Sequence, residues 1–422
     1  MSRLGLKASL LLLSVVLTLF VVEVSLFFVG VSRPRKNPPQ IFEYDQLLGW
    51  RKKPHFSGTW QMGEYTISEQ INSHGNRGPE CSYAKDHDVY RILVLGDSFA
   101  EGIGVEFEQI FSEILKRKLN AQSRQGRCYD IINTGTSGYG TDQELLYFQT
   151  EGKKYDPDLT ILMFCYNDVW YNNKPMNYHL GEPKLQKPLF VLEHDELRLT
   201  NVPVPYTKAA MFNETVVEAT TSTSLKDWLS RNSQVYSLVR DSVKSNYWLH
   251  KQAVRLGIAT IPRELLEEGQ ALPMPRDLGC WKKQYTPEIQ QSWEVTEALL
   301  VRLQDEVNRI GSKLIVFNIP SQASIYEVSL RAYRRQFCIP EDWQPERVGR
   351  ELDRICARNK IEYILATPRF KKEAEAYEKT GELLYYPKDR HWTALGHRLA
   401  AEILADYIGD FDELAKCNVG AF

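Results

Sequence analysis

From Tyr90 onward the chain alternates apolar strand-like runs with segments of helical periodicity, and this alternation constrains its fold more than any other feature. YRILVLG precedes EQIFSEILKRKLN, CYDIINT precedes TDQELLYFQTEGKK, and DLTILMFCY follows as a third strand. Such alternation demands βαβ units and a parallel sheet. It stops after Asp168 and resumes near Thr286 with a long helical stretch, the strand SKLIVFNIP, the helix ERVGRELDRICARNK, the strand IEYILA and a last helix, ALGHRLAAEILADYI. The expected fold class is α/β: a three-layer α/β/α domain around a parallel five-stranded sheet. Its first part spans 90–168 and its second 286–410, with a tail over 411–422. A structureless loop as long as 169–285 does not fit a compact domain, so this insertion reads as a cap holding a hairpin, PLFVLEHDELRLT, and an amphipathic helix, SLKDWLSRNSQVYSLVRDSVKSNYW. Residues 42–89 mix short aromatic runs with Gly and Pro and read as a small β-rich edge segment.

The N-terminus follows a different rule. Ala8 to Val31 is an apolar run broken by one charge, Glu23, and is long enough to cross the ~30 Å hydrocarbon layer as a helix. A cleaved signal peptide has a shorter apolar core and a small-residue cleavage site, and no A-x-A pattern follows here. The expectation is a flank over 1–7, an uncleaved transmembrane helix over 8–31 and a Pro-rich basic stalk over 32–41. Arg3 and Lys7 precede the helix while Arg33, Arg35 and Lys36 follow it, so the positive-inside rule does not orient it. Over the whole chain Lys plus Arg (52) nearly cancel Asp plus Glu (54). Without a basic block there is no footprint for nucleic acid, which is excluded as a partner. The seven cysteines are irregularly spaced and leave buried free thiols as the default. Nothing in the sequence sets the oligomeric state.

In an open parallel sheet, ligands sit beyond the carboxyl ends of the strands. The first strand ends in Gly96-Asp97-Ser98, the second leads into Asn133-Thr134-Gly135-Thr136-Ser137-Gly138, and the third ends in Tyr166-Asn167-Asp168. Beyond the fifth strand and a linker stand Asp389-Arg390-His391-Trp392, just before the final helix. A serine, a histidine, a nearby carboxylate and N–H or amide donors are the inventory of acyl transfer. The bland alternatives are that Ser98 caps a helix or closes a turn and that Asn167 is a turn residue. Asp97 and Asp168 read as structural, and His397 as a surface or packing residue. No G-x-S-x-G elbow, H-E-x-x-H or C-x-x-C pattern occurs, and the Gly135–Gly140 run lacks the dinucleotide-loop order. No metal or cofactor is expected.

This order of Gly-Asp-Ser, Gly, Asn-Asp and Asp/His resembles the SGNH (GDSL) hydrolases over Tyr90–Asp168 and Thr286–Ile408. The resemblance implies a flavodoxin-like architecture, Ser98 as nucleophile, His391 as base and Asp389 as its partner. It also implies oxyanion donors from the Ser98 N–H, Gly138 and Asn167. LGWRKKP, INSHGNRG and RILVLGDSF, with the apolar N-terminus, are similar to membrane-anchored bacterial members. That implies a single-pass protein of the cell membrane with an extracytoplasmic catalytic domain, acting on an acylated envelope carbohydrate or lipid ester. A sugar O-acyltransferase and a non-catalytic polysaccharide-binding or assembly protein are the alternatives. The sequence departs from the family pattern in one place: the aspartate commonly stands three residues before the histidine, where this chain has Lys388, and Asp389 stands two before. The D-x-H-W form resembles that of alginate-type O-acetyltransferases, which carry it upstream of the serine.

Overall fold

The computed structural model describes residues 3–28, 41–61, 64–123, 127–176, 185–194, 196–206, 233, 235–236, 275–337 and 339–419. The chain divides into two units, Met1–Pro38 with Glu214–Pro273 and Pro39–Asn213 with Met274–Phe422. In the first unit the apolar run forms helix α1 (Arg3–Phe28). Its single acid, Glu23, accepts hydrogen bonds from Ser233 Oγ at 2.9 Å and the Val235 N–H at 3.0 Å. Among the described residues no helix is long and apolar enough to cross a membrane, so the anchor expected over 8–31 remains a reading of the sequence.

The second unit opens with two antiparallel hairpins, β1 (Phe42–Asp45) with β2 (Gly49–Lys52) and β3 (Ser57–Gln61) with β4 (Thr66–Gln70). Then come β5 (Val89–Gly96), α2 (Ser98–Glu101), α3 (Phe111–Gln122), β6 (Cys128–Asn133), α4 (Thr141–Thr150), β7 (Leu159–Phe164) and α5 (Asp168–Tyr171). A third hairpin joins β8 (Leu189–Glu193) to β9 (Glu196–Thr200). After it stand α6 (Pro287–Arg309), β10 (Lys313–Asn318), α7 (Gln322–Ile325), α8 (Glu327–Phe337), α9 (Arg347–Asn359), β11 (Glu362–Leu365), α10 (Thr367–Glu378) and α11 (Ala394–Val419).

β5, β6, β7, β10 and β11 form a five-stranded parallel sheet in the order β11-β10-β7-β5-β6. Counting these strands along the chain, the order across the sheet is 2-1-3-4-5, the flavodoxin-like arrangement. Its topological switch point lies between the first and third strands, β5 and β7, where a ligand crevice opens. The strands are apolar on both faces because both are covered. Ile92, Val94, Ile161, Met163, Ile315 and Phe317 share one core with Phe111 and Leu115 of α3, Phe370 of α10, Trp392, and Leu399 and Leu404 of α11. On the other side of β5, Leu93 and Leu95 are equally buried. Thr286 caps α6 with its side chain and Pro287 opens the helix, as helix starts favour.

Several expectations are corrected. The β-rich segment is not an edge of the main sheet: its hairpins form separate sheets, and Trp50, Ile67 and Ile71 are buried. The helix α11 runs to Val419 through the expected tail, because Gly409 alone weakens a helix without ending it and no proline follows. The supposed linker before Asp389 holds α10, which buries Phe370 against Trp392. The start of the insertion belongs to the core: Lys187, fully buried, pairs with the buried Asp142 of α4 at 2.7 Å. Apart from Ser233, Val235 and Tyr236, the amphipathic helix expected over 224–248 lies outside the described residues. Cys81, Cys128, Cys165, Cys280 and Cys356 are free thiols.

Candidate active site

The switch point is built first by β5, whose last residue, Gly96, lies so close to its neighbours that a Cβ would stand 2.6 Å from Ala100 Cβ and 2.9 Å from Met163 Cβ. The chain then turns at once into α2. Asp97 caps this helix, its Oδ1 accepting the Phe99 N–H at 2.9 Å. Capping therefore falls to Asp97, and Ser98, at the first helical position, has its hydroxyl free for other contacts. Burial pushes the Asp97 carboxyl up to about 6, although the Phe99 N–H and the nearby His391 favour its charge.

His391 reaches Ser98 from the other end of the chain, its Nε2 standing 2.7 Å from Ser98 Oγ. Its Nδ1 lies 2.5 Å from Asp389 Oδ1. The short spacing between the two is made possible by Arg390, whose φ of 75° lies in the left-handed region that a residue with a Cβ seldom adopts. This bend folds the Asp389 carboxylate back over the His391 backbone, where Oδ1 also faces the His391 N–H at 3.4 Å. Arg390 is held there by its own N–H, which donates to the Tyr386 carbonyl at 2.9 Å. Its guanidinium donates to Tyr333 Oη at 2.9 Å and lies 4.2 Å from the centre of that ring. Next along the chain, Trp392 is fully buried against Phe99, Phe111 and Phe370. A buried Trp of this kind is worth about 3–5 kcal/mol against Ala and fixes where the histidine projects.

Two residues of the N-terminal β segment complete the support, and the sequence reading did not find them. The Tyr65 hydroxyl donates to Asp389 Oδ2 at 3.1 Å. The Glu64 carboxylate accepts the Lys388 and Asp389 N–H groups at 3.0 and 2.6 Å. Partial burial works to raise the Asp389 pKa, but the hydrogen bonds from His391 and Tyr65 and the charge of His391 outweigh it and hold the carboxyl below its ordinary value.

Gly138 and Asn167 follow β6 and β7, the two strands that flank β5. Gly138 has a φ of 79°, and a Cβ there would lie 2.8 Å from Met176 Sδ and 3.3 Å from Trp50 Cζ2. Only glycine fits. Among the described residues no acceptor is paired with the Ser98 N–H, the Gly138 N–H or the Asn167 Nδ2, while Asn167 Oδ1 is buried without a donor. Three donors thus stay uncommitted at the ends of three adjacent strands. Neighbouring amides in the Gly138 loop are all engaged: Gly135 by Asn133 Oδ1, Thr136 by the Gly96 carbonyl and Ser137 by Glu101 Oε2. The backbone at Asn167 starts α5, so this asparagine is also a helix-start residue.

His397 does not join the site and is not on the surface. It is buried, its Nδ1 accepts the Phe111 N–H at 3.3 Å, and its ring stacks on Phe111. Among the described residues no group of His, Cys, Asp and Glu is arranged to hold a metal ion.

Residues 281–420 match the family model described as SGNH hydrolase-like domain, acetyltransferase AlgX. That span carries Asp389 and His391. No curated protein matches the chain in sequence. Among similar solved structures is an alpha/beta hydrolase from the metagenome of Lake Arreo, Spain, at 13% identity and a TM-score of 0.38, covering 78% of this chain and 97% of that one. Another is a catalytic mutant of an acetylxylan esterase from Geobacillus stearothermophilus, at 12% and 0.37, covering 76% and 94%. A lipase/acylhydrolase from Enterococcus faecalis stands at 12% and 0.36, covering 75% and 94%. At these values none bears on chemistry. Residues 281–420 therefore carry an SGNH hydrolase-like domain of the AlgX acetyltransferase description, within a fold whose five-stranded parallel sheet has the flavodoxin-like order.

Proposed function

We propose that the protein cleaves an acyl ester through an acyl-serine intermediate on Ser98. The observation that carries this reading is the continuous chain of contacts from Ser98 Oγ to His391 Nε2 and from His391 Nδ1 to Asp389. Ser98 Oγ attacks the ester carbonyl carbon as His391 Nε2 takes its proton, and the carbonyl oxygen becomes the oxyanion. The Ser98 and Gly138 N–H groups and Asn167 Nδ2 stabilise that charge. Collapse of the adduct breaks the bond to the leaving alcohol, which receives the proton from His391. Water then attacks the acyl-serine, with His391 again as base, and Ser98 is regenerated. Asp389, held ionised, fixes the histidine tautomer and stabilises the transient imidazolium.

The proposed substrate is an acylated carbohydrate or lipid ester of a bacterial envelope. The apolar sequence of Ala8–Val31 supports a membrane tether, with the catalytic domain extracytoplasmic. At 1.5 Å per residue a 24-residue helix would be about 36 Å long, enough for the ~30 Å layer, and the described Leu10, Leu13, Leu17 and Phe20 of α1 are exposed. A second reading, transfer of the acyl group to a sugar hydroxyl in place of water, is favoured by the acetyltransferase description of the matching family model.

Hydrolysis of p-nitrophenyl acetate and of acetylated oligosaccharides, with and without an unacylated oligosaccharide acceptor, tests both readings. Turnover that disappears in Ser98→Ala supports the serine mechanism, and acylated acceptor among the products selects transfer. Undiminished activity in Ser98→Ala overturns it.

A further inference from the structure

We infer that Trp50, Lys52 and Glu101 are positioning residues of the acyl-transfer site, through which the first N-terminal hairpin sets the direction and strength of the Gly138 N–H. The inference rests on the esterase reading above.

The Gly138 N–H belongs to the same peptide unit as the Ser137 carbonyl, so whatever binds that carbonyl fixes the plane in which the N–H points. The Trp50 indole Nε1–H donates to Ser137 O at 3.0 Å. A hydrogen bond to the carbonyl also polarises the unit and makes its N–H a stronger donor. The preceding peptide unit is fixed in turn, because Glu101 Oε2 accepts both the Ser137 N–H at 2.6 Å and the Ser137 Oγ–H at 2.5 Å. Lys52 closes the arrangement: its ammonium donates to the Gly135 carbonyl and stands 3.9 Å from Glu101 Oε1.

All three side chains are buried, Trp50 at 0% exposure and Lys52 and Glu101 at 2%. Burying a lysine and a glutamate is costly unless they are paired and hydrogen-bonded, and here both act on the three residues Gly135–Ser137. Backbone accounting shows what that stretch is for. From Gly135 to Ser137 the N–H and carbonyl groups have partners, the Thr136 carbonyl accepting from the Tyr139 N–H at 3.1 Å, while the Gly138 N–H has none among the described residues. The loop is braced on either side of the one donor it leaves open. Arg77 extends the brace to the loop after the nucleophile, its guanidinium donating to the Gly102 and Val105 carbonyls at 2.7 Å each. LGWRKKP and INSHGNRG thereby gain a physical role that the catalytic residues alone do not give them.

The test is Trp50→Phe, which removes the indole donor, beside a protein carrying benzothienylalanine at position 50, which has sulfur in place of the indole N–H and keeps the packing. Both are assayed on p-nitrophenyl acetate for kcat and KM, with affinity for a boronic acid that forms a tetrahedral adduct on the serine. The expected result is a kcat lowered about tenfold, less than the on the order of 10²-fold loss of a whole oxyanion donor. Boronate affinity should fall in step, since it reports the tetrahedral state, with KM within twofold and the melting temperature of the isostere unchanged. Unchanged kcat and boronate affinity in an active, folded isostere protein overturn the inference and leave the esterase reading standing. Absence of turnover in the unsubstituted protein overturns both.

Discussion

Replacing Asp389 by asparagine isolates what the carboxylate contributes while keeping its shape. The carboxylate faces His391 Nδ1 at 2.5 Å and accepts from Tyr65 at 3.1 Å through its other oxygen. Its depressed pKa keeps it ionised wherever the histidine can work as a base. When His391 accepts the Ser98 proton, an imidazolium forms beside this charge. With charge centres about 4 Å apart and an effective dielectric constant of about 20, the attraction is about 4 kcal/mol, or roughly 10³-fold in rate at 1.36 kcal/mol per decade. Tautomer adds to this. Tyr65 donates toward Oδ2, which favours the carboxamide oxygen on that side and leaves the NH2 facing Nδ1. A donor there would place the remaining ring proton on Nε2, where it cannot take one from Ser98. Asp389→Asn should therefore lower kcat on p-nitrophenyl acetate by about 10³- to 10⁴-fold while KM changes by less than about threefold and the far-ultraviolet circular dichroism is preserved. A folded Asp389→Asn protein with kcat within tenfold of the unsubstituted enzyme would refute the pairing and leave His391 to act alone.

Three further outcomes follow from the same geometry. Asn167→Ala should lower kcat on the order of 10²-fold with little change in melting temperature, and an unchanged kcat returns Asn167 to a helix-start residue. Gly138→Ala places a Cβ 2.8 Å from Met176 Sδ at a φ of 79° and should destabilise by about 1–3 kcal/mol and cut kcat at least tenfold; urea unfolding and turnover measure the two, and wild-type values for both would remove the case for glycine there. His397 is driven down to about 3 by burial, with the Arg77 and His391 charges adding to it. Below about pH 6.5 the unfolded chain takes up a proton that the folded chain refuses until about 3, so stability falls on acidification by up to about 1.4 kcal/mol per pH unit. His397→Gln, which keeps an acceptor for the Phe111 N–H, should shrink the loss of melting temperature between pH 7 and pH 5, and an unaltered acid sensitivity argues against this origin.

The parallel sheet was legible because strands such as YRILVLG and DLTILMFCY carry their burial in their composition, and helices such as α6 announce themselves by a Thr-Pro start. Ser98 and Asn167 could be picked out because the fold class puts the residues after adjacent strands on one rim, whereas Gly138 was singled out from its loop by the resemblance to the SGNH hydrolases. What stayed hidden depends on contacts far apart in the chain. Nothing in the sequence marks Lys52 and Glu101 as a pair that the fold buries together, and Lys187 with Asp142 is the same case. Neither pair has a local period to betray it. Tyr65 and Glu64 reach Asp389 across more than three hundred residues, with no motif of their own. The Asp389 spacing looked like a departure because spacing presumes an ordinary backbone, and the left-handed turn at Arg390 removes that presumption. The β character of 42–70 was legible but its relation to the site was not, since alternation shows which face of a strand is buried and not what it is buried against.

The central claim is that Ser98 is a nucleophile activated by His391. It is tested most directly by treating the protein with a fluorophosphonate and locating the adduct by mass spectrometry of the intact chain and its peptides. The expected result is one phosphonyl group per chain on the peptide carrying Ser98, formed rapidly in the unsubstituted protein and at least about 10³-fold more slowly in His391→Ala. An unlabelled Ser98, or labelling that proceeds equally fast without His391, would contradict it.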